Sequence, residues 1–275
     1  MTDSAASRDG NDTGQASSGD SASLDDLRRE IDAADAEMHR LLIHRGQVIE
    51  QLIAAKRLGA DGKGARGAAF RPDREADMMR RIAGRHSGQL PLSIVEHIWR
   101  EIIGTFTQLQ APYNVYSAAA AEPRMRDLLR YYFGFSSPLV EAESDSAAVE
   151  AAARSGADLA VVAIDRPQSE PWWRKLAHPD GPGARVIAAL PFLPLDERLD
   201  LPRALVIGPA NVTAPTDLYL YAAAADAETS GGETVLSRGA DGSLIASELD
   251  PAEFGKAHPA AICLGSFARP LNWPD

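Results

Sequence analysis

The sequence holds one cysteine, Cys263, among 275 residues. A lone cysteine excludes an intramolecular disulfide framework and a multi-cysteine metal site. No convincing Ser-His-Asp pattern or metal-ligand spacing accompanies it. Long apolar runs are also missing, and none approaches the length that crosses a bilayer. The opening Met1-Thr2-Asp3-Ser4 continues polar where a secretory leader would need an apolar segment. A cytoplasmic protein with no membrane partner is the expectation. Basic charge is scarce as well. The net charge is −11, and the deficit sits in the second part of the chain. From Leu24 to Gln110 there are 14 Lys and Arg against 13 Asp and Glu; from Ala111 to Asp275 there are 13 against 22. Phosphate backbones need a basic surface, which argues against nucleic acid as the main partner. Local arginines in the first part still suit a small anion.

What is present falls into three stretches. Residues 1–23 are Ser, Asp, Gly, Ala and Thr with almost nothing apolar, and read as a disordered tail. Residues 24–111 carry helical periodicity. Ser23 suits an N-cap, and Leu27, Ile31, Met38, Leu41, Val48 and Leu52 recur at helical spacing to Arg57. A second helix is expected from Arg71-Pro72 to about His86, with Pro72 in its first turn. A third should run from near Pro91 through Ile94, Ile98, Ile102 and Phe106 to Gln110. Three helices dominated by so long a first one make a poor monomeric core, so a partner chain is expected. Residues 112–275 alternate short apolar runs with amphipathic stretches and read as α/β. Strands are expected at Asn114–Ser117, Pro138–Glu141, Asp158–Ile164, Arg185–Phe192, Ala204–Ile207, Leu218–Ala223 and Ala261–Leu264. Helices are expected at Arg124–Phe133 and Ser146–Ser155.

Two charges sit where the periodicity puts apolar residues. At about 100° per residue, Arg45 and Lys56 fall inside the arc of Leu41, Val48, Leu52 and Met38. Buried cations need anions. Internal acids such as Glu75 would satisfy them. So would a small dianion held between them, since eleven residues of helix place the two about 16 Å apart.

Five segments in order resemble the all-helical chorismate mutases, the class often fused to prephenate dehydratase. They are Leu27-Arg28-Arg29-Glu30-Ile31-Asp32, Leu41-Leu42-Ile43-His44-Arg45, Ala54-Ala55-Lys56, Arg71-Pro72-Asp73-Arg74-Glu75 and Trp99-Arg100-Glu101-Ile102-Ile103. The resemblance implies an intertwined helical homodimer that rearranges chorismate to prephenate with neither a metal nor a cofactor. It implies that Arg28 and Arg45 hold the two substrate carboxylates and that Lys56 and Gln110 donate to the ether oxygen. Glu75 would accept from the ring hydroxyl, and Arg74 would support the carboxylate site. Arg71 stands where some members carry an aspartate, and Phe106 where many carry a small hydroxyl residue. Arg28 and Arg45 are 17 residues apart, about 25 Å along one straight helix, so they cannot serve one small substrate from one chain. Without the resemblance, Arg28 reads as a solvated arginine at the edge of the apolar face.

The α/β part resembles a shortened prephenate dehydratase with remnants of its regulatory domain. The resemblance rests on Ser146 to Ile164, on Leu201-Pro202-Arg203-Ala204-Leu205-Val206-Ile207-Gly208 and on Leu264-Gly265-Ser266-Phe267. The catalytic threonine position is Pro202, Tyr116-Ser117-Ala118-Ala119 replaces the glycine-rich opening, and Asp165-Arg166 stands where Glu-Asn is expected. This part is therefore expected to be non-catalytic. Trp172-Trp173 reads as a packed loop anchor or a ligand wall, Cys263 as core, and His178 and His258 as loop histidines. The expected class is multidomain α and α/β. The competing readings are a bifunctional mutase/dehydratase and a non-enzymatic helical interaction module.

Overall fold

The computed structural model describes residues 23–59, 70–165, 170–177, 183–193 and 200–271, with side chains left aside at 56–59. The expected tail up to residue 22, most of the glycine-rich stretch after Gly59, Arg166 and His178 lie outside the described residues. The chain divides into two compact units, one ending at Leu52 and the other beginning at Ile53.

The first unit is nearly all of helix α1, Leu24–Gly59. Ser23 caps it: its Oγ accepts from the Asp26 N–H at 3.1 Å, while the Asp26 carboxylate takes the Ser23 N–H at 3.1 Å. This reciprocal pairing satisfies donors that a helix start leaves open. The apolar stripe read from the sequence is exposed in the single chain: Ile31 is 61%, Met38 56% and Leu41 49% accessible.

In the second unit, α2 (Pro72–Arg85) starts on Pro72 and buries Ala76, Met79 and Ile82, one face at helical spacing. Helix α3 (Leu92–Gln110) runs where it was expected and buries a polar stripe. Its buried face is Ser93, Glu96, Arg100, Gly104 and Thr107, whereas Ile94 and Ile98 stay exposed. The reason is α4 (Pro123–Phe133), which packs against it. A Cβ on Gly104 would stand 2.5 Å from the Phe133 carbonyl oxygen, so only glycine admits this approach.

The remaining elements are β1 (Val115–Ser117), β2 (Leu139–Glu141), α5 (Asp145–Ser155), β3 (Leu159–Ala163), α6 (Arg174–Ala177), β4 (Ala184–Leu190), β5 (Ala204–Pro209), β6 (Leu218–Ala223), β7 (Glu233–Gly239), β8 (Gly242–Ser247), α7 (Pro251–Ala257) and β9 (Ile262–Phe267). The strands form one mixed sheet in the order β2-β1-β3-β5-β4-β9-β6-β8-β7. Strands β1 and β2 pair in parallel, as do β1 and β3, while β5 runs antiparallel to both β3 and β4. The ladder between β4 and β9 is a single rung, Val186 to Gly265. Alternation along β3 sends Leu159, Val161 and Ala163 to one face and Ala160 and Val162 to the other. The first face shares a continuous core with α2 and α4, including Met79, Met125, Leu128, Leu129, Ile187 and Val206. The helical sequence of α2 is thus packed by the α/β part.

Candidate active site

Arg28 and Arg45 lie on the same unbroken helix, α1. Arg28 is exposed and donates to Asp25 Oδ1 at 3.0 Å, one turn away. Arg45 is half-buried, and burial draws its guanidinium below its ordinary value. Lys56 is on α1 as expected, its side chain outside what is described. Arg74 is an exposed residue of the first turn of α2. Beside it, Arg71 turns back on Asp73 in a two-pronged pair, Nε to Oδ1 at 3.0 Å and Nη2 to Oδ2 at 2.7 Å. Gln110 closes α3, its amide donating to the Phe106 carbonyl at 3.2 Å.

Glu75 is the predicted site residue whose surroundings are most fully described. The cation it meets is Arg100 of α3, whose Nη1 donates to Glu75 Oε2 at 2.9 Å. The same guanidinium donates through Nε and Nη2 to Glu96 Oε1 at 3.3 and 3.2 Å. Tyr131 of α4 donates its hydroxyl to Glu96 Oε2 at 3.3 Å and to the Ser93 carbonyl at 2.6 Å. The Arg100 guanidinium lies over the Tyr132 ring, 5.0 Å from its centre. Tyr132 in turn accepts the Phe192 N–H at 2.8 Å.

Burial governs the electrostatics of this group. It pushes the Glu75 carboxyl up to about 7, with Arg100 pulling it back and Asp73 adding to the rise. Glu96 is also raised by burial and opposed by Arg100. Two carboxylates therefore compete for one cation in a place where charge is costly. Against the cluster lies a cavity of about 30 Å³, lined by Phe70, Glu75, Arg100, Tyr132, Phe133 and Phe192 among others. That volume admits a water-sized group, far less than a six-membered ring with two carboxylates.

Glu96, Arg100, Tyr131 and Tyr132 were missed as functional candidates. A signal existed, since Ser93, Glu96, Arg100, Gly104 and Thr107 recur at helical spacing as a polar stripe. It was overshadowed by the apolar stripe of Ile94 and Ile98 beside it.

In the α/β part, Pro202 is buried and the exposed Arg203 donates its backbone N–H to Asp165 Oδ2 at 3.1 Å. Ser117 is fully buried, its hydroxyl accepting from the Ala119 N–H at 3.3 Å. Trp172 and Trp173 are both core, their rings edge-on at 5.9 Å. Cys263 is a correction: it is exposed. It lies in the first half of β9, before the rung that joins this strand to β4. His258 ends α7 and stacks on Phe254, with its Nε2 3.6 Å from Glu233 Oε2.

Along the chain a long helix bearing Arg28 and Arg45 is followed by two shorter helices, the first carrying Glu75 and the second Arg100. The family model of chorismate mutase type II matches residues 27–111, which takes in the three helices up to the start of the α/β part. A bifunctional chorismate mutase/prephenate dehydratase from Neisseria gonorrhoeae is 34% identical over 99 residues, covering 34% of this chain and 25% of that protein. The match thus spans a quarter of the relative's length. Among solved structures, a chain described as GqqA, a novel type of quorum quenching acylases, gives a TM-score of 0.36 at 11% identity, over 59% of this chain and 98% of that one. So loose a likeness carries no argument about fold or chemistry.

Proposed function

We propose that residues 24–111 rearrange chorismate to prephenate. The match of residues 27–111 to chorismate mutase type II carries this reading, with the five motif segments in order as its local support. The reaction is an intramolecular pericyclic shift that needs no nucleophile. Catalysis consists of holding the compact conformer and stabilising charge that builds on the ether oxygen. Arg28 and Arg45 would bind the two carboxylates, with Arg74 supporting. Lys56 and Gln110 would donate to the ether oxygen, and Glu75 would accept from the ring hydroxyl.

One chain cannot bring Arg28 and Arg45 to one substrate, because 17 residues of continuous α1 separate them by about 25 Å. The protein would therefore work as a homodimer, each site taking Arg28 from the second copy. The accessible Leu27, Ile31, Met38, Leu41, Val48 and Leu52 of α1 supply the apolar face for that contact. Among the described residues no helix is long and apolar enough to cross a membrane. A biosynthetic role in the cytoplasm is the setting that goes with the mutase activity.

The α/β part would contribute no prephenate dehydratase activity. Expelling the ring hydroxyl with carboxylate needs a positioned proton donor. Pro202 offers neither a hydroxyl nor an N–H, and it is buried. The bifunctional reading keeps one argument, the relative that carries both activities in its name.

One assay separates the readings. Purified full-length protein is given chorismate, and chorismate loss, prephenate and phenylpyruvate are followed together. We expect prephenate to accumulate with phenylpyruvate at background. We expect Lys56→Ala to lower kcat/KM at least about a hundredfold, the scale of one oxyanion-type donor, with helix content unchanged. Unaltered chorismate would end the mutase reading. Phenylpyruvate that disappears in Arg203→Ala would establish the bifunctional one.

A further inference from the structure

Arg100 belongs to none of the roles assigned above, yet it is the most enclosed cation among the described residues, 6% accessible and engaged at three nitrogens. It is shared between two acids from different helices and is backed by an aromatic ring of a third. We propose that Arg100 is a positioning residue for Glu75: its fork, divided between Glu75 and Glu96 and laid on Tyr132, fixes the direction and the ionisation of the Glu75 carboxylate. The inference rests on reading Glu75 as the acceptor of the substrate's ring hydroxyl. It also gives the α/β part a place in the chemistry, because Tyr131 and Tyr132 of α4 hold the other side of the same network.

Only an ionised carboxylate accepts through both oxygens; a protonated one turns donor. Glu75 sits where that choice is close, with burial raising its carboxyl to about 7 against the pull of Arg100. The charged and titratable groups facing the network are Asp73 on α2, Glu96, His97 and Arg100 on α3, Tyr113 just beyond α3, and Tyr131 and Tyr132 on α4. From the sheet, Ile187, Ala188, Ala189 and Val206 close the cavity without any charge. Arg100 is therefore the cation that sets the balance among the described groups. Glu96 draws on the same cation, so removing either partner should move Glu75 in opposite directions.

The test reads Glu75 itself. Full-length protein labelled with ¹³C at glutamate carboxyls is titrated by NMR, with Glu75→Gln identifying the resonance. Arg100→Gln should raise the Glu75 midpoint by about one pH unit or more, and Glu96→Gln should lower it, since the guanidinium then serves Glu75 alone. The acid limb of mutase kcat/KM should move the same way in each variant. Arg100→Gln should lose at least about fivefold at pH 7 and regain most of it at pH 9, with Arg100→Lys between it and the native protein. If Arg100→Gln does not fold, Glu96→Gln decides alone: a fall in the midpoint supports the proposal, and a rise or no change overturns it. Midpoints that move as stated in a protein inactive on chorismate would uphold the network and end the mutase reading. An active protein whose Glu75 midpoint ignores both substitutions would do the reverse.

Discussion

Glu75 shows a residue at odds with its surroundings. Its carboxyl is raised in the fold from an ordinary value near 4.5 to about 7. Between those two values the folded chain holds a proton that the unfolded chain has released. Stability from this group is therefore full below about 4.5 and is lost as pH rises through about 7. A glutamine has no such loss. The stability of Glu75→Gln relative to the native protein should grow between pH 4.5 and 7, by on the order of 3 kcal/mol, measured by urea unfolding across that range. A difference that stays flat with pH would show that Glu75 is not strained by its burial. Motif order singles out Glu75, Arg74 and Gln110 as candidates from the sequence alone. Arg100 lies in a different segment of that resemblance, Trp99 to Ile103, and was read with no role. A buried arginine becomes legible only when its acids are known, and those of Arg100 come from 25 residues away as well as from one turn away.

At the scale of elements, the sequence located α1 to α5 closely because their signals are local, while the short α6 and α7 were not read. Ser23 opens α1 and Pro72 starts α2, as read. The buried face of α3 was not read, because it depends on Gly104 letting α4 come close, which favours the polar stripe over the apolar one. The hairpin of β7 and β8 was missed altogether. Its one strong signal is Asp241-Gly242 at the turn, between strands whose alternation is broken by a register shift after Val235. Gly265 is legible only in three dimensions. Its φ of 141° disfavours other residues, and a Cβ there would overlap the Val186 carbonyl oxygen and stand 2.7 Å from the Val186 nitrogen. Gly265→Ala should lower unfolding free energy by at least about 2 kcal/mol, read from the urea midpoint. Alanine tolerated without loss would mean that the β4–β9 contact contributes little.

For the whole molecule, the exposed stripe of α1 is the strongest argument that the single chain is incomplete. If each site takes Arg28 from a second copy, two defective proteins should repair one another. Arg28→Ala and Lys56→Ala subunits, each inactive alone, should recover about a quarter of native activity once mixed and exchanged in equal amounts. Random pairing makes half of the dimers hybrid, each with one intact site, by the two-fold symmetry of such an interface. Demonstrated exchange without recovery would rule out a shared site. The same scale gives the lone rung between β4 and β9 its meaning. A sheet passes shear from strand to strand along its ladders, and here that path narrows to Val186 and Gly265. Ile187, Ala188 and Ala189, next along β4, form the wall beside Glu75. Along the ladder, a twist imposed on β6, β8 and β7 thus reaches that wall through one backbone contact, beside the separate tie that Arg80 of α2 makes to Asp217 and to the Arg269 carbonyl.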